Sequence, residues 1–230
     1  MNEQLLALDR EAILGRLSAG LVHAINNVLS GIIGQVDLML LTGPAGQSPV
    51  EIEAIATTCD EGVKLTKALA KVIMAMKESG PVDPTQIVES CHILLARIFR
   101  RAGVERESSA ASMLPAATNG DLFAQAAFHI VTMCYESLAV DGAPSRKLSS
   151  RLRLDGEMLR LDLESTSTLV FPQNSVAVDA HGNAISGEDW HRLALDTVTS
   201  RCGGEWSYSE DGRKASLKWK ASSGGSTMIY

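Results

Sequence analysis

Aromatic side chains are scarce in this chain: they make up 4% of its 230 residues, whereas hydrophobic residues as a group make up 45%. The core must therefore be built mainly from Leu, Ile, Val, Met and Ala. Such a composition favours an aliphatic, helix-rich protein of one or two modest domains.

Paired cysteines are also missing. The four cysteines are far apart, form no CxxC pair and have no histidine at ligand spacing. This spacing argues against a metal site and against a disulfide framework. We expect four unpaired, buried thiols in a reducing compartment: Cys59, Cys91, Cys134 and Cys202.

Clustered positive charge is absent as well. The net charge is −6, and the short basic pairs at 100–101 and 146–147 read as solvated charges. A nucleic-acid surface needs clustered Lys and Arg, so that class of function is excluded. Polar residues interrupt the longest apolar stretches, and no basic-then-apolar leader is present. We therefore expect no membrane insertion, no signal peptide and a cytoplasmic protein.

Two long helices are predicted in the first third of the chain. The first runs from about Glu3 to Leu41 and ends at the turn formers of 42–49, and the second runs from about Val50 to Ser79. Two long helices with a short connection form an antiparallel hairpin. In the first helix, apolar residues recur at spacings of three and four: Leu14, Leu17, Leu21, Ile25, Val28, Ile32, Val36 and Met39.

One histidine, His23, stands apart from this apolar seam. At about 100° per residue it lies roughly 200° from both Leu21 and Ile25, on the polar side of the helix. Glycine is a poor choice in a helix for propensity alone, so the small residues there leave room for another protein to approach an imidazole. The face around His23 carries Arg16, Ala19, Gly20, Asn26, Asn27, Ser30 and Gly34.

The apolar stripes of the hairpin need a partner. A lone hairpin could not cover both stripes, whereas a second copy would complete a four-helix bundle. The sequence therefore predicts a homodimer.

Mixed α and β structure is predicted after Pro81. Helices are expected over 85–103, 121–139 and 190–202. Two hairpins are expected, one around Asp155-Gly156 and one around 210–212. His92 and His129 lie within apolar helices and are expected in the core. A layer of helices over an antiparallel or mixed sheet is the economical packing.

The residues His23-Ala24-Ile25-Asn26-Asn27 resemble the phosphoacceptor box of sensor histidine kinases, commonly written H-E-I-N-N-P-L. The resemblance implies that His23 is the phosphoacceptor and that Asn27 flanks the transferring group. It also implies a surface for receiver domains that includes Arg16, Gly20, Asn26 and Ser30. Ala24 stands where the family has an acidic residue, and Val28 replaces the proline.

The second half resembles the ATP-binding domain of the same family, but without its nucleotide ligands. His129 and Met133 stand where that family has asparagines, the second of which binds magnesium. The positions that read adenine fall on Ser165, Ser167 and Leu169, and the phosphate segment falls on 187–191, which retains one glycine. Met133 cannot coordinate Mg²⁺, a hard cation that requires oxygen ligands. The resemblance therefore predicts no cofactor and no resident metal.

The fold expected from these observations is α plus α/β. A helical hairpin at 1–79 would dimerise into a four-helix bundle, followed at 80–230 by a degenerate histidine-kinase ATPase-like α/β sandwich. Three functions stay open. The chain could be a phosphorelay protein that transfers a phosphoryl group between receiver aspartates through His23 without ATP, like kinase-derived dimeric histidine phosphotransferases. It could instead be a non-catalytic pseudokinase scaffold or, least favoured, a divergent active kinase.

Overall fold

The computed structural model describes residues 2–42, 49–99, 103–140, 146–169, 177–178, 184–185 and 187–222. Its helices are α1 (Asn2–Thr42), α2 (Pro49–Lys77), α3 (Pro84–Ile98), α4 (Gly120–Val140) and α5 (Gly187–Cys202). Its strands are β1 (Val104–Ala110), β2 (Arg146–Asp155), β3 (Met158–Ser165), β4 (Ala177–Val178), β5 (Ala184–Ile185), β6 (Glu205–Tyr208) and β7 (Lys214–Lys220).

Helices and a mixed sheet form the second half. The sheet has the order β1-β2-β3-β7-β6; β1 pairs with β2 in parallel and the other neighbours are antiparallel. Alternate residues of the central strands are buried, such as Leu161 opposite both Leu152 and Leu217. α4 contacts β1, β3 and β7, and α3 and α5 pack on α4. The expected layer of helices over a mixed sheet is confirmed.

The two predicted long helices are present with nearly the predicted ends. The connection expected at 42–49 falls mostly on residues 43–48, which lie outside the described residues. Both sheet hairpins are present as well. Gly156 and Gly212 have φ values of +64° and +67°, a region that glycine enters without a steric penalty.

The segment after α3 differs from the prediction. α3 ends at Ile98, not at residue 103, and Val104–Ala110 is the edge strand β1. All but the first of its residues are exposed, so it carries no apolar alternation that would mark a strand.

The apolar seam predicted on α1 is partly internal to one chain. Leu17 and Val28 are buried and do not face outward. A Cβ placed on Gly62 of α2 would lie 3.1 Å from Val28 Cγ1, so the two helices are in close contact there. Part of the seam is therefore covered within one chain, and the second copy stays a prediction.

One hydrophobic cluster extends across the predicted boundary at 79/80. It contains Leu6 and Leu17 of α1, Val72 of α2, Phe128 of α4 and Leu217 of β7. The hairpin thus packs on the α/β part of its own chain. The boundary itself stays a prediction.

The thiols and His92 of the core follow the predictions with one exception. All four cysteines are free, but Cys59 is exposed, contrary to expectation, because it lies on the outer side of α2. Burial raises the pKa of the Cys91 and Cys134 thiols to about 12. His92 is fully buried, as expected, and burial lowers its pKa to about 3.

One segment of α1, Ala24–Leu41, is long and apolar enough to span a membrane by length and composition. Its mean hydropathy is 1.4 over 18 residues, and 11% of the window is buried. A single such helix is weak evidence for a membrane, since helices of soluble proteins pass the same test. The cytoplasmic location stays a prediction.

The start of α4 generates a stability prediction. A Cβ on Gly120 would lie 2.3 Å from Val82 Cγ1 and 2.5 Å from the Gly80 carbonyl oxygen. Gly120→Ala should therefore lower the free energy of unfolding by about 1–3 kcal/mol in a urea titration. On Gly34 of α1 a Cβ would meet nothing within 4 Å, so Gly34→Ala should stabilise by up to about 1 kcal/mol. Equal effects of the two variants would contradict this packing.

Candidate functional site

The face of α1 that carries His23 is polar where the structure describes it. Asn26, Asn27 and Ser30 are exposed. Arg16 is half-exposed, and its guanidinium lies 3.4 Å from the Glu136 carboxylate of α4. The backbone at Gly20 and His23 is helical, but the side chain of His23 and the surroundings of Gly20 lie outside the described residues. Helical geometry places the other five predicted site residues within about 60° of His23.

The structure gives a reason for the two departures from the phosphoacceptor box, Ala24 and Val28. Both are buried, at 6% and 7% exposure, and Ala24 belongs to the hydrophobic core. A carboxylate at position 24 would have to leave water without a partner, which is strongly unfavourable. The packing of α1 on its own chain therefore favours a small apolar residue directly after His23.

A polar cluster with a buried centre at Asp9, His129 and His191 joins α1 to the α/β part. Asp9 Oδ2 of α1 lies 2.8 Å from His129 Nε2 of α4. His129 Nδ1 lies 2.7 Å from His191 Nδ1 of α5. His191 Nε2 in turn lies 3.2 Å from Glu136 Oε2, whose carboxylate also pairs with Arg16. We name these five residues the interdomain cluster.

Burial and charge act in opposite directions in the interdomain cluster. Burial lowers the pKa of His191, and the positive charge of His129 lowers it further, while the hydrogen bond with Glu136 opposes both. Burial also acts to raise the pKa of Glu136. The hydrogen bond and charge of His191, together with Arg16, outweigh it and hold that pKa below its usual value. The cluster thus favours an ionised Glu136, while burial acts against a charge on His191.

Little space remains beside the histidine pair. The cavity there has a volume of about 20 Å³, room for about one water molecule. It is lined by Asp9, Ala12, Ile13, Arg16, Phe128, His129, Trp190 and His191.

Most of the residues that stand at the nucleotide-binding positions of the resemblance are buried. His129 and Met133 are each 1% exposed, and Ser165 and Leu169 are buried too. The side chains of 187–189 lie outside the described residues, as does the loop at His181. Within the described part of the chain, no group of three or more His, Cys, Asp or Glu side chains could hold a metal ion.

The interdomain cluster was missed from the sequence. His129 was expected in the core, which is confirmed, but its partner Asp9 is 120 residues away. One signal was available: Asp9 precedes the buried residues Ile13 and Leu17 at spacings of four, so all three lie on similar sides of the first helix. Nothing in the sequence indicated that a histidine would face it.

Comparison with known proteins gives structural matches alone. No protein-family model matches the chain, and neither does any curated protein. A mycobacterial sensor histidine kinase, MprB, matches over 61% of this chain and 97% of its own, with 14% identity and a TM-score of 0.43. The histidine kinase AdeS of Acinetobacter baumannii matches over 86% and 98%, with 12% identity and a TM-score of 0.45.

A bacterial phosphotransferase matches over 90% of this chain and 95% of its own, with 12% identity and a TM-score of 0.47. The chain is therefore similar in structure to histidine-kinase cores at low sequence identity.

Proposed function

We propose that this protein is a histidine phosphotransfer protein of a two-component phosphorelay. His23 accepts a phosphoryl group from the aspartate of one receiver domain and passes it to the aspartate of another, without ATP. The observation that carries this proposal is the sequence His23-Ala24-Ile25-Asn26-Asn27 on the long helix α1, followed by exposed polar side chains at Asn26, Asn27 and Ser30.

The reaction needs an accessible, neutral imidazole. The lone pair of one ring nitrogen of His23 attacks phosphorus, an N–P bond forms, and the P–O bond to the receiver aspartate breaks. The aspartate leaves as a carboxylate, and the other ring nitrogen of His23 can release its proton. The reverse sequence on a second receiver completes the relay. The donor is already an activated acyl phosphate, so the buried Ala24 in place of an acid is tolerable.

Two features of the α/β part support a relay that does without ATP. First, His129 and His191 are in direct contact beside a cavity that holds about one water, so no space remains there for a triphosphate. Second, Met133 offers no oxygen ligand to Mg²⁺. In this proposal the receiver supplies both the aspartate and the Mg²⁺.

A second copy of the chain is the proposed partner for the outer side of the hairpin. α1 exposes a line of apolar residues distinct from its buried face, and all of them share one helical direction within about 40°. The line consists of Val22, Leu29, Ile33, Val36 and Leu40. On α2, Ile52 and Val63 are exposed apolar residues too. Burying each such side chain contributes on the order of 1.5–3 kcal/mol, so a dimer can offset the entropy of association.

A non-catalytic scaffold is the second candidate. The identity of Ala24 favours it, because an alanine after His23 has no acidic group to assist proton removal. Such a scaffold would bind a receiver or a kinase through the same face of α1 and remain unphosphorylated.

Transfer of label from a phosphorylated receiver separates the two candidates. Wild-type protein should take up the phosphoryl group, and His23→Gln should lose that uptake completely while its circular dichroism stays unchanged. Asn27→Ala should slow uptake by roughly 10- to 100-fold if Asn27 holds the transferring group by one charge-assisted hydrogen bond. Binding to a panel of receivers with no labelling would favour the scaffold.

Nucleotide should leave thermal stability unchanged. A ligand raises the melting temperature in proportion to its affinity for the folded state. ATP with Mg²⁺ at about 1 mM, the upper end of typical KM values, should give no shift in a thermal melt. A clear upward shift would revive the divergent-kinase hypothesis.

Two neighbouring substitutions on α1 test the dimer. Leu29 is 51% exposed in one chain and Val28 is 7% exposed. Leu29→Asp should therefore give a folded monomer, because it removes contacts between copies alone. Val28→Asp should unfold the hairpin, because it buries an unpaired carboxylate within the chain. Sedimentation velocity with circular dichroism distinguishes these outcomes, and a wild-type monomer at micromolar concentration would rule out the four-helix bundle.

A further inference from the structure

The contacts of the interdomain cluster require a definite number of protons. Three successive polar contacts run through the cluster. The distances are 2.8 Å for Asp9–His129, 2.7 Å for His129–His191 and 3.2 Å for His191–Glu136. Each is a hydrogen bond only if one proton lies between its two atoms. Three protons are therefore needed.

Two neutral imidazoles and two ionised carboxylates hold only two such protons. The third must be an additional one, and imidazole is far more basic than a carboxylate. The histidine pair therefore carries one positive charge in the docked arrangement. With two additional protons, the two Nδ1 atoms would each carry a hydrogen and face each other across 2.7 Å. With no additional proton, and both carboxylate contacts kept, the two Nδ1 atoms would face each other with lone pairs.

The charge surrounding the pair matches this count. Asp9 and Glu136 each contribute −1, and Arg16 and the singly protonated pair each contribute +1, which leaves the cluster neutral. Burial lowers the pKa of His191, and His129 is the ring that lies beside the Asp9 carboxylate. The other charges at this junction are already paired: Arg10 with Asp121, and Glu3 with Arg201.

We propose that His129 and His191 form a one-proton latch, which holds the N-terminal half of α1 against α4 and α5 while the two rings share a single additional proton. Its ligand is the proton itself. Asp9 makes the connection to α1, and removal of the proton leaves that buried carboxylate without a positive partner, which is costly in a nonpolar interior.

The direction of the pH effect follows from linkage. The additional proton completes three contacts that exist only in the docked state, so docking is lost when rising pH removes that proton. The second additional proton is disfavoured in the docked state, so docking also weakens as pH falls below the ordinary histidine pKa of about 6.5. The docked fraction should therefore pass through a maximum as pH is varied, with an acidic limb below it and an alkaline limb above it.

The latch also bears on His23, which lies 14 residues after Asp9 on the same helix. Movement of the N-terminal half of α1 would change the surface that a receiver meets beside His23, where Arg16 pairs with Glu136. This last consequence rests on the proposed function. The latch itself does not, because docking can be measured without phosphorylation.

A distance measurement tests the latch. Spin labels on Leu8→Cys of α1 and Ser200→Cys of α5, both exposed positions, are introduced in a Cys59→Ser background. Labelled chains are diluted with unlabelled protein so that distances within one chain dominate. Pulsed electron paramagnetic resonance from about pH 5 to about pH 9, the range in which histidine titrates, should show one narrow distance near the maximum and broad, longer distances on the alkaline limb.

Two matched carboxylate-to-amide variants on α1 provide the control. Asp9→Asn keeps an oxygen that accepts from His129 but removes the negative charge, so the alkaline midpoint should fall by about one pH unit or more. Glu11→Gln changes an exposed carboxylate on the same helix and should leave the midpoint in place. A distance that does not change with pH, or equal midpoints in the two variants, would overturn the proposal.

Imidazole ¹⁵N spectra count the protons directly. With assignments from His129→Gln and His191→Gln, the pair should take up one additional proton together over the range where docking persists. Two independent titrations near pH 6.5, the ordinary histidine value, would overturn the proposal even if the distance changed.

Discussion

The contact between Asp9 and His129 is the interaction on which the arrangement of the chain depends. It joins the first helix to a helix 120 residues later, and both side chains are 2% exposed. A charged group can leave water at tolerable cost only when it meets a partner, and breaking such a pair by removing one member typically costs about 3–5 kcal/mol. The polar contact therefore fixes the register of α1 on α4, while the continuous hydrophobic core around it supplies most of the driving force.

This constraint divides α1 into three directions. One direction, with Ile13, Leu17 and Ala24, packs on the chain itself. A second carries the exposed apolar line that includes Leu29 and Ile33, and the polar face with His23 lies between them. In the proposed dimer both apolar sides of α1 are covered, which leaves a narrow strip for recognition of another partner. That strip is where the small and polar residues of the phosphoacceptor-like segment are found.

Local signals in the sequence explain what could be predicted. The long helices, the hairpin at Gly156 and the closing hairpin at Gly212 follow from periodicity and turn residues, which act over a few positions. The strand β1 lacked such a signal because it is an exposed edge. The sequence did not specify which apolar residues of α1 its own chain covers, because apolar residues at spacings of three and four occur in two directions. The interdomain cluster depends on contacts between residues more than 50 positions apart, which no local pattern specifies.

The central claim is that His23 itself carries the phosphoryl group, and the chemistry of the bond tests this most directly. A phosphoramidate on histidine is stable in alkali and labile in acid, whereas the acyl phosphate of a receiver is labile in alkali. Peptide mapping by mass spectrometry under alkaline conditions, after exposure to a phosphorylated receiver, should place the phosphate on the peptide that begins after Arg16 and contains His23. Phosphate on any other residue, or none on this chain while receivers still bind, would contradict the account.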